Sequence, residues 1–229
     1  MILAAGRGER MCPLTDTCPK PLLDVRGKPL MQYHLEALHR SGHEEVVVNT
    51  AWLGEQIEER FGAGGPAREW PRIRYSREGR DFGGALETAG GILRALPLLE
   101  DAFWLAAGDV YAPGFEFSRD ALARFAAGDK LAHLVFVPNP PQHPNGDFGL
   151  RADGLALNHA ERQFTYSTIG LYRKALFDGL PSGNPQGLKA PLAPLLRAAM
   201  DNGRVTAEIY TGAWADVGTP QRLAQLNAP

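Results

Sequence analysis

The sequence predicts an α/β fold: a mostly parallel mixed sheet flanked by helices, with small antiparallel strand additions. Three observations carry that prediction. Apolar strand-like runs alternate with helix-like segments through residue 137, the pattern of parallel strands joined by right-handed crossovers. After Pro138 the pattern changes to proline-rich loop and short hairpin-like strands. At the start, MILAAGRGERMCPLTDTCPKPLLD joins an apolar run to a Gly6-Arg7-Gly8 turn and then to the spaced cations Arg10 and Lys20. Ligands of such sheets bind outside the strand carboxyl ends, where that turn falls.

Residues 2–5 give the first strand. Pro29 opens a helix through Ser41, with Leu30, Tyr33, Leu35 and Leu38 on one face and Gly42 as its stop. Residues 45–50, containing Val46-Val47-Val48, read as a buried strand. A helix follows over 52–61, and 62–72, rich in Gly, Pro and charge, is loop. Residues 73–76 form a strand and 86–96 a helix, with 78–85 expected to be a flexible glycine-bearing loop between them. Residues 103–107 form a buried strand that delivers Gly108-Asp109 at its carboxyl end. Ser118 caps a helix to Ala127, and 131–137 is strand. A proline-rich loop covers 138–147, and two short strands flank the Asp153-Gly154 turn. Residues 164–172 are strand, 173–180 and 191–202 helices, 204–210 and 214–217 strands. Thr219-Pro220 opens a terminal helix. The expected organisation is one domain of two lobes, about 1–137 and about 138–229.

Composition narrows the function classes. With 229 residues, 44% hydrophobic and 22% charged, the chain reads as an ordinary globular protein. A net charge of −2 leaves no basic excess to coat a nucleic acid, so its N-terminal cations form a local site. The two cysteines, Cys12 and Cys18, both fall inside the proposed phosphate loop, which argues against a disulfide framework and for a reducing compartment. Met1 to Ala5 is too short for a signal-peptide core, and no apolar run approaches the ~18 residues of a membrane span. The expected location is cytoplasmic, without nucleic-acid or membrane partners.

A glycine turn lets backbone N–H groups approach an anion where no Cβ intervenes, and fixed cations close from the sides. Two familiar phosphate motifs fail on named residues. A dinucleotide fingerprint needs a third glycine at position 11, which is Met; a Walker A loop needs Gly-Lys-Ser/Thr, but Gly27-Lys28 precedes Pro29. The full string matches something else. Leu3-Ala4-Ala5-Gly6-x-Gly8-x-Arg10-Met11-x-Pro13-Leu14-Thr15, then Pro19-Lys20-Pro21-Leu22, resembles the signature of the sugar-1-phosphate nucleotidyltransferases. The resemblance continues in Gly108-Asp109, Asn145-Gly146-Asp147-Phe148 and Trp214-x-Asp216-Val217-Gly218-Thr219. Glu87-Thr88-Ala89-Gly90-Gly91 is similar to a stretch of the short bacterial N-acetylmuramate α-1-phosphate uridylyltransferases of peptidoglycan recycling. Three places depart from that pattern: Cys12 stands where an Arg is usual, the 79–85 loop is longer, and Ser167-Thr168-Ile169-Gly170 differs.

The resemblance implies a Rossmann-like, GT-A type fold. It also implies in-line attack of a sugar-1-phosphate oxygen on the α-phosphorus of a nucleoside triphosphate, UTP favoured, with release of pyrophosphate. Asp109 and Asp216 are the expected ligands of Mg²⁺, which suits carboxylates, phosphate oxygens and waters. Arg10 is expected on the leaving pyrophosphate and Lys20 on the α-phosphate and incoming phosphate. Gly6 and Gly8 would supply backbone donors, with Ala4 and Ala5 against the nucleotide. Glu87 and Thr88 are candidates for the base or ribose, and Asp147, Glu161 and Thr168 for the sugar. A zinc site among Cys12, Cys18, His34, His39 and His43 has the wrong spacing. Two rivals stand: another hexose-1-phosphate enzyme, such as a mannose-1-phosphate guanylyltransferase, and a non-catalytic nucleotide-sugar-binding regulator. Retention of Arg10, Lys20, Asp109 and Asp216 together speaks against the second.

Overall fold

The computed structural model describes residues 1–65 and 68–228. The first elements are β1 (Ile2–Ala4), α1 (Leu14–Thr17), β2 (Asp24–Val25), β3 (Lys28–Pro29), α2 (Leu30–Arg40), β4 (Glu45–Thr50) and α3 (Gly54–Phe61). Next come β5 (Arg72–Arg77), α4 (Glu78–Phe82), α5 (Glu87–Ala95), β6 (Ala102–Ala107), β7 (Val110–Tyr111), α6 (Arg119–Ala127) and β8 (Ala132–Val137). The chain continues through β9 (Gly149–Leu150), β10 (Ala156–Leu157), β11 (Thr165–Arg173), α7 (Ala193–Asp201), β12 (Val205–Ile209), β13 (Ala215–Asp216) and α8 (Pro220–Asn227).

Seven strands form one mixed sheet in the order β12-β8-β11-β6-β1-β4-β5. β1 is parallel to β4 and β6, β4 to β5, and β12 to β8. In this sheet β11 alone is reversed, antiparallel to both β6 and β8. The mostly parallel sheet expected from the strand–helix alternation is the one that forms. Three two-stranded antiparallel sheets accompany it: β9 with β10, β7 with β13, and β2 with β3.

β4 shows why its centre, Val46-Val47-Val48, is continuously apolar. Val47 packs with Ile92, Leu93 and Leu105 on one face, while Val46 and Val48 pack with Met31, Leu35, Ile57 and Phe61 on the other. A strand covered on both faces has no solvent side to alternate toward. Each large side chain so buried contributes about 1.5–3 kcal/mol. Both expected N-caps form: Ser118 accepts from the Ala121 N–H and Thr219 from the Arg222 N–H. Each is worth about 1 kcal/mol.

Several local expectations are corrected. Residues 78–82 are the helix α4, not flexible loop, because Glu78 is fully buried and Gly79 packs directly on the Ala51 backbone. The helix expected over 173–180 is replaced by the last residue of β11, Arg173, and a single 3₁₀ turn, Lys174–Phe177. Arg173 holds the strand end straight by donating to the Phe125, Ala126 and Gly128 carbonyls and pairing with Asp101. The apolar stripe of α2 divides in two: Met31, Leu35 and Leu38 face the sheet, while Leu30 and Tyr33 pack with Val25 and Tyr111. Between residues 24 and 29 lies a hairpin unanticipated from sequence, its turn made by Arg26 and Gly27 at φ 50° and 85°. Pro66 and Ala67, in the segment read as loop, lie outside the described residues.

Candidate active site

The site grows from neighbouring strand ends. Leu3 pairs with Ala107 of β6 on one side and Asn49 of β4 on the other, so the chain leaving Ala4 enters the space between them. A cleft of about 630 Å³ opens there, lined by Ala4, Ala5, Gly6, Gly8, Arg10, Lys20, Glu87, Thr88 and Asp109. Residues expected on separate segments thus meet in one place.

Two glycines shape the loop for different reasons. Gly8 sits at φ +68°, and a Cβ there would lie 3.1 Å from Thr15 Cγ2 and 3.3 Å from Lys20 Cβ. Gly8 is therefore required by the loop itself. At Gly6 an added Cβ would meet nothing within 4 Å, so the protein's own packing does not call for glycine. Close approach of a ligand to the backbone would. Thr15 Oγ donates to the Gly8 carbonyl at 2.9 Å and fastens the turn.

The cations divide by how much of their charge is already used. Arg7 donates to the Thr15 carbonyl and to Asp16, each at 2.7 Å, and stacks 3.9 Å above the Trp52 ring. Its charge holds the loop. Arg10 is exposed on the cleft wall and makes no hydrogen bond or ion pair among the described residues. Lys20 is buried, with Nζ 2.5 Å from Asp109 Oδ2 and 4.0 Å from Asp216 Oδ1.

Asp216 reaches this point because β13 pairs it with Val110, the residue after Asp109. The two carboxylates are 35% and 33% exposed; Asp109 lines the cleft and Asp216 stands beside that lining. Arg222 Nη1 donates to Asp216 Oδ2 at 2.7 Å, so on each acid it is Oδ2 that is engaged. Asp109 Oδ1 has no hydrogen-bond partner among the described residues. This donor set fits a small hard dication. No group of three or more His, Cys, Asp or Glu converges among the described residues, so such an ion would complete its shell with phosphate oxygens or water.

Asn49 and Glu78 also line the cleft, and the sequence reading missed both. Asn49 Oδ1 accepts from the Ala4 N–H at 2.8 Å; its Nδ2 donates to Glu78 Oε1 at 2.6 Å; Glu78 Oε2 accepts from the Leu86 N–H at 2.9 Å. This buried bridge ties the root of the glycine loop to the Leu86-Glu87-Thr88 corner, where Glu87 is held at φ 60°. The one sequence signal was a polar Asn49 directly after the apolar run Val46-Val47-Val48.

Two expected results follow from the bridge. Burial pushes the Glu78 carboxyl above its ordinary range, although its hydrogen bonds to Asn49 and Leu86 oppose the shift. Only the ionised carboxylate accepts from both donors without a competing O–H. Nucleotide affinity should therefore fall as pH drops through this raised pKa, above the usual 4.5. Glu78→Gln should show the weakened affinity at every pH and lose the part of the acidic fall in a KM–pH profile that Glu78 contributes beyond the titration of the substrate phosphates. At Gly91 an added Cβ would lie 2.5 Å from Glu78 Oε1 and 2.8 Å from Asn49 Nδ2. Gly91→Ala gains about 1 kcal/mol of helix propensity but overpacks a buried polar pair, which costs about 1–3 kcal/mol. A net loss of stability is expected in urea denaturation.

Three sugar candidates lie outside the cleft lining. Asp147 Oδ2 accepts from the Tyr166 N–H at 2.8 Å, and Oδ1 lies 3.1 Å from His143 Nε2. Thr168 stands at φ 63° in a bulge of β11, one residue before the Ile169–Ala106 pair, and its hydroxyl donates to the Ser167 carbonyl. Glu161 is exposed between β10 and β11. His34, weighed above as a zinc ligand, is buried edge-on to Phe117, and burial lowers its pKa to about 4.

Sheet order, the reversed β11 and a cleft at the parallel strand ends define an α/β protein that binds its ligand beyond the strand carboxyl ends. The nucleotidyl transferase family model matches residues 1–229, and the chain belongs to that family. It is 46% identical over 236 residues to N-acetylmuramate alpha-1-phosphate uridylyltransferase of Neisseria meningitidis serogroup B, covering 100% of this chain and 96% of that protein. The protein of the same name from Caulobacter vibrioides is 32% identical over 240 residues, covering 96% and 92%. A solved structure described as a putative glucose-1-phosphate thymidylyltransferase from Bacillus anthracis in complex with a sucrose superposes with a TM-score of 0.81. At 18% identity over 99% of this chain and 92% of that one, it shows the shared fold. Enzymes of this family act on a nucleoside triphosphate and a sugar 1-phosphate and generally use divalent metal ions. Among the described residues no helix is long and apolar enough to cross a membrane.

Proposed function

We propose that this enzyme condenses N-acetylmuramate α-1-phosphate with UTP to give UDP-N-acetylmuramate and pyrophosphate. The chemistry rests on one observation above all: the Lys20 ammonium, in the lining of the strand-end cleft, is held beside Asp109 and Asp216. End-to-end identity of 46% with the Neisseria meningitidis uridylyltransferase supports the choice of substrates. A cytoplasmic location and a place in peptidoglycan recycling go with that assignment.

The nucleophile is an oxygen of the sugar 1-phosphate, already an anion because a phosphate monoester's second pKa is about 6. No strong general base is needed. The oxygen forms a bond to the α-phosphorus while the bond from that phosphorus to the α–β bridging oxygen breaks, and pyrophosphate leaves with the electron pair. The barrier lies in bringing anions together and holding the growing charge, which is positioning and electrostatics. Lys20 serves the α-phosphate and the incoming phosphate, and Arg10, unpaired among the described residues, the leaving pyrophosphate. Gly6 and Gly8 present backbone N–H groups, Ala4 and Ala5 lie along the nucleotide, and Glu87 and Thr88 face its base or ribose. A divalent cation, Mg²⁺ in this reading, would be held by Asp109 and Asp216 and would neutralise phosphate charge. We assign the nucleotide to the lobe of about residues 1–137 and the sugar phosphate to about 138–229, with Asp147, Glu161 and Thr168 on the sugar side.

The test is pyrophosphate release across a matrix of sugar 1-phosphates and nucleoside triphosphates, with Mg²⁺ and with chelator. The expected best pair is N-acetylmuramate α-1-phosphate with UTP, silent in chelator. A preference for GTP with mannose 1-phosphate would overturn the substrates; binding without turnover for every pair would overturn the enzyme.

A further inference from the structure

Arg222 has no part in the chemistry above, and its placement is specific. Its guanidinium reaches Asp216 Oδ2 at 2.7 Å and also approaches the Asp216 carbonyl at 3.5 Å. The turn is shaped around that contact. A Cβ on Gly218 would lie 2.8 Å from Arg222 Nη1 and 2.9 Å from Asp216 Oδ2, so only glycine leaves room for the pair. Thr219 caps α8 by accepting from the Arg222 N–H itself. The far end of α8 is fastened too: Asn227 accepts from the Arg26 N–H and donates to the Asp24 carbonyl. Arg222 is thus presented from a helix pinned at both ends.

The charge count around the acids follows. Asp109 and Asp216 carry two negative charges, while Lys20 and Arg222 bring two positive ones within 2.7 Å of their Oδ2 atoms. The four-residue cluster is neutral. A hydrated dication arriving alone gains little net attraction there to offset the loss of its waters. A triphosphate changes the balance, because it adds several negative charges and competes for Lys20. Neither Arg222 nor Asp216 is among the cleft-lining residues, so their 2.7 Å pair lies beside the cleft rather than across it.

We propose that Arg222 is a charge lock on the carboxylate pair, excluding free divalent cations so that the metal enters only together with the nucleotide. This rests on the reading of Asp109 and Asp216 as metal ligands. Arg222 acts through Asp216 and is a positioning residue.

The test measures Mn²⁺ binding to the whole protein by electron paramagnetic resonance, alone and with a non-hydrolysable UTP analogue. Wild type should bind Mn²⁺ alone weakly and far more tightly with the analogue. Removing one positive charge beside the acids should tighten binding of Mn²⁺ alone roughly tenfold in Arg222→Gln and Arg222→Ala. Arg222→Lys should follow wild type, and Asp216→Asn added to Arg222→Gln should cancel the gain. A residue that merely braces the turn could only weaken binding when removed, so the direction is decisive. Unchanged or weaker Mn²⁺ binding in both neutral variants, with melting curves that show a folded protein, overturns the lock. So does Arg222→Lys binding as tightly as Arg222→Gln. If Asp109→Asn and Asp216→Asn leave Mn²⁺ binding untouched even with the analogue, the metal reading of the site itself fails.

Discussion

Asp109→Asn should lower the rate of pyrophosphate release about 10³-fold at saturating substrates, the scale seen when one preorganised electrostatic partner is removed. The substitution keeps the size of the side chain and removes its charge. It takes away one of the two carboxylates beside Lys20 and leaves the buried ammonium facing a neutral amide. Lys20 keeps Asp216 at 4.0 Å, and the backbone contact from the Val217 N–H to the Asp109 carbonyl does not depend on the side chain. The fold should therefore survive, with a melting temperature within about 5 °C of wild type, since about 1 kcal/mol moves a chain of this size by roughly 2–4 °C. Catalysis and stability part company. A variant turning over within threefold of wild type would remove Asp109 from the mechanism.

Lys20→Met should be the second large loss, about 10²–10³ in kcat. Methionine fills nearly the same volume, so the apolar stem of the buried lysine is replaced without a cavity. What disappears is the one cation shared by the two acids, at 2.5 and 4.0 Å. Asp109 and Asp216 then face each other without the cation between them, and the group proposed to meet the α-phosphate is gone. Lys20→Arg should not rescue the loss. Its planar fork needs different geometry from a point-charge ammonium, and Lys20 begins a tight 3₁₀ turn with Pro21 next in the chain. Steady-state kinetics of both variants, with nucleotide affinity measured separately, check the assignment. Rates above a tenth of wild type in both would place the essential cation elsewhere, with Arg10 next to be tested.

The bulk of the sheet was legible because its signals are local. Val46-Val47-Val48 announces a strand covered on both faces, and Ser118 and Thr219 announce helix starts through their own hydroxyls. Much of the cleft was legible for the same reason: Gly6, Gly8, Arg10 and Lys20 are close in sequence and form one loop. Failures cluster where a distant partner overrides local chemistry. Glycines at 79, 83 and 84 suggested flexibility, but a buried Glu78 bonded to Asn49 winds residues 78–82 into helix. Arg173, expected to open a helix, instead ends β11 by reaching carbonyls at the end of α6, and only a 3₁₀ turn follows.

The sequence by itself determined that the protein is a mostly parallel α/β fold with a glycine turn and spaced cations after its first strand. It also supplied the acids and cations that the loop would need. Tertiary structure alone decided how those charges are paired. Lys20 meets Asp109 across 89 positions of chain, and Asn49 meets Glu78 across 29. Arg222, unmarked by any motif reading, closes on Asp216 through a glycine turn. Periodicity and turn chemistry record what a residue's own segment does. Pairings of this kind are set by strand register and by the space left between elements, which no local pattern encodes.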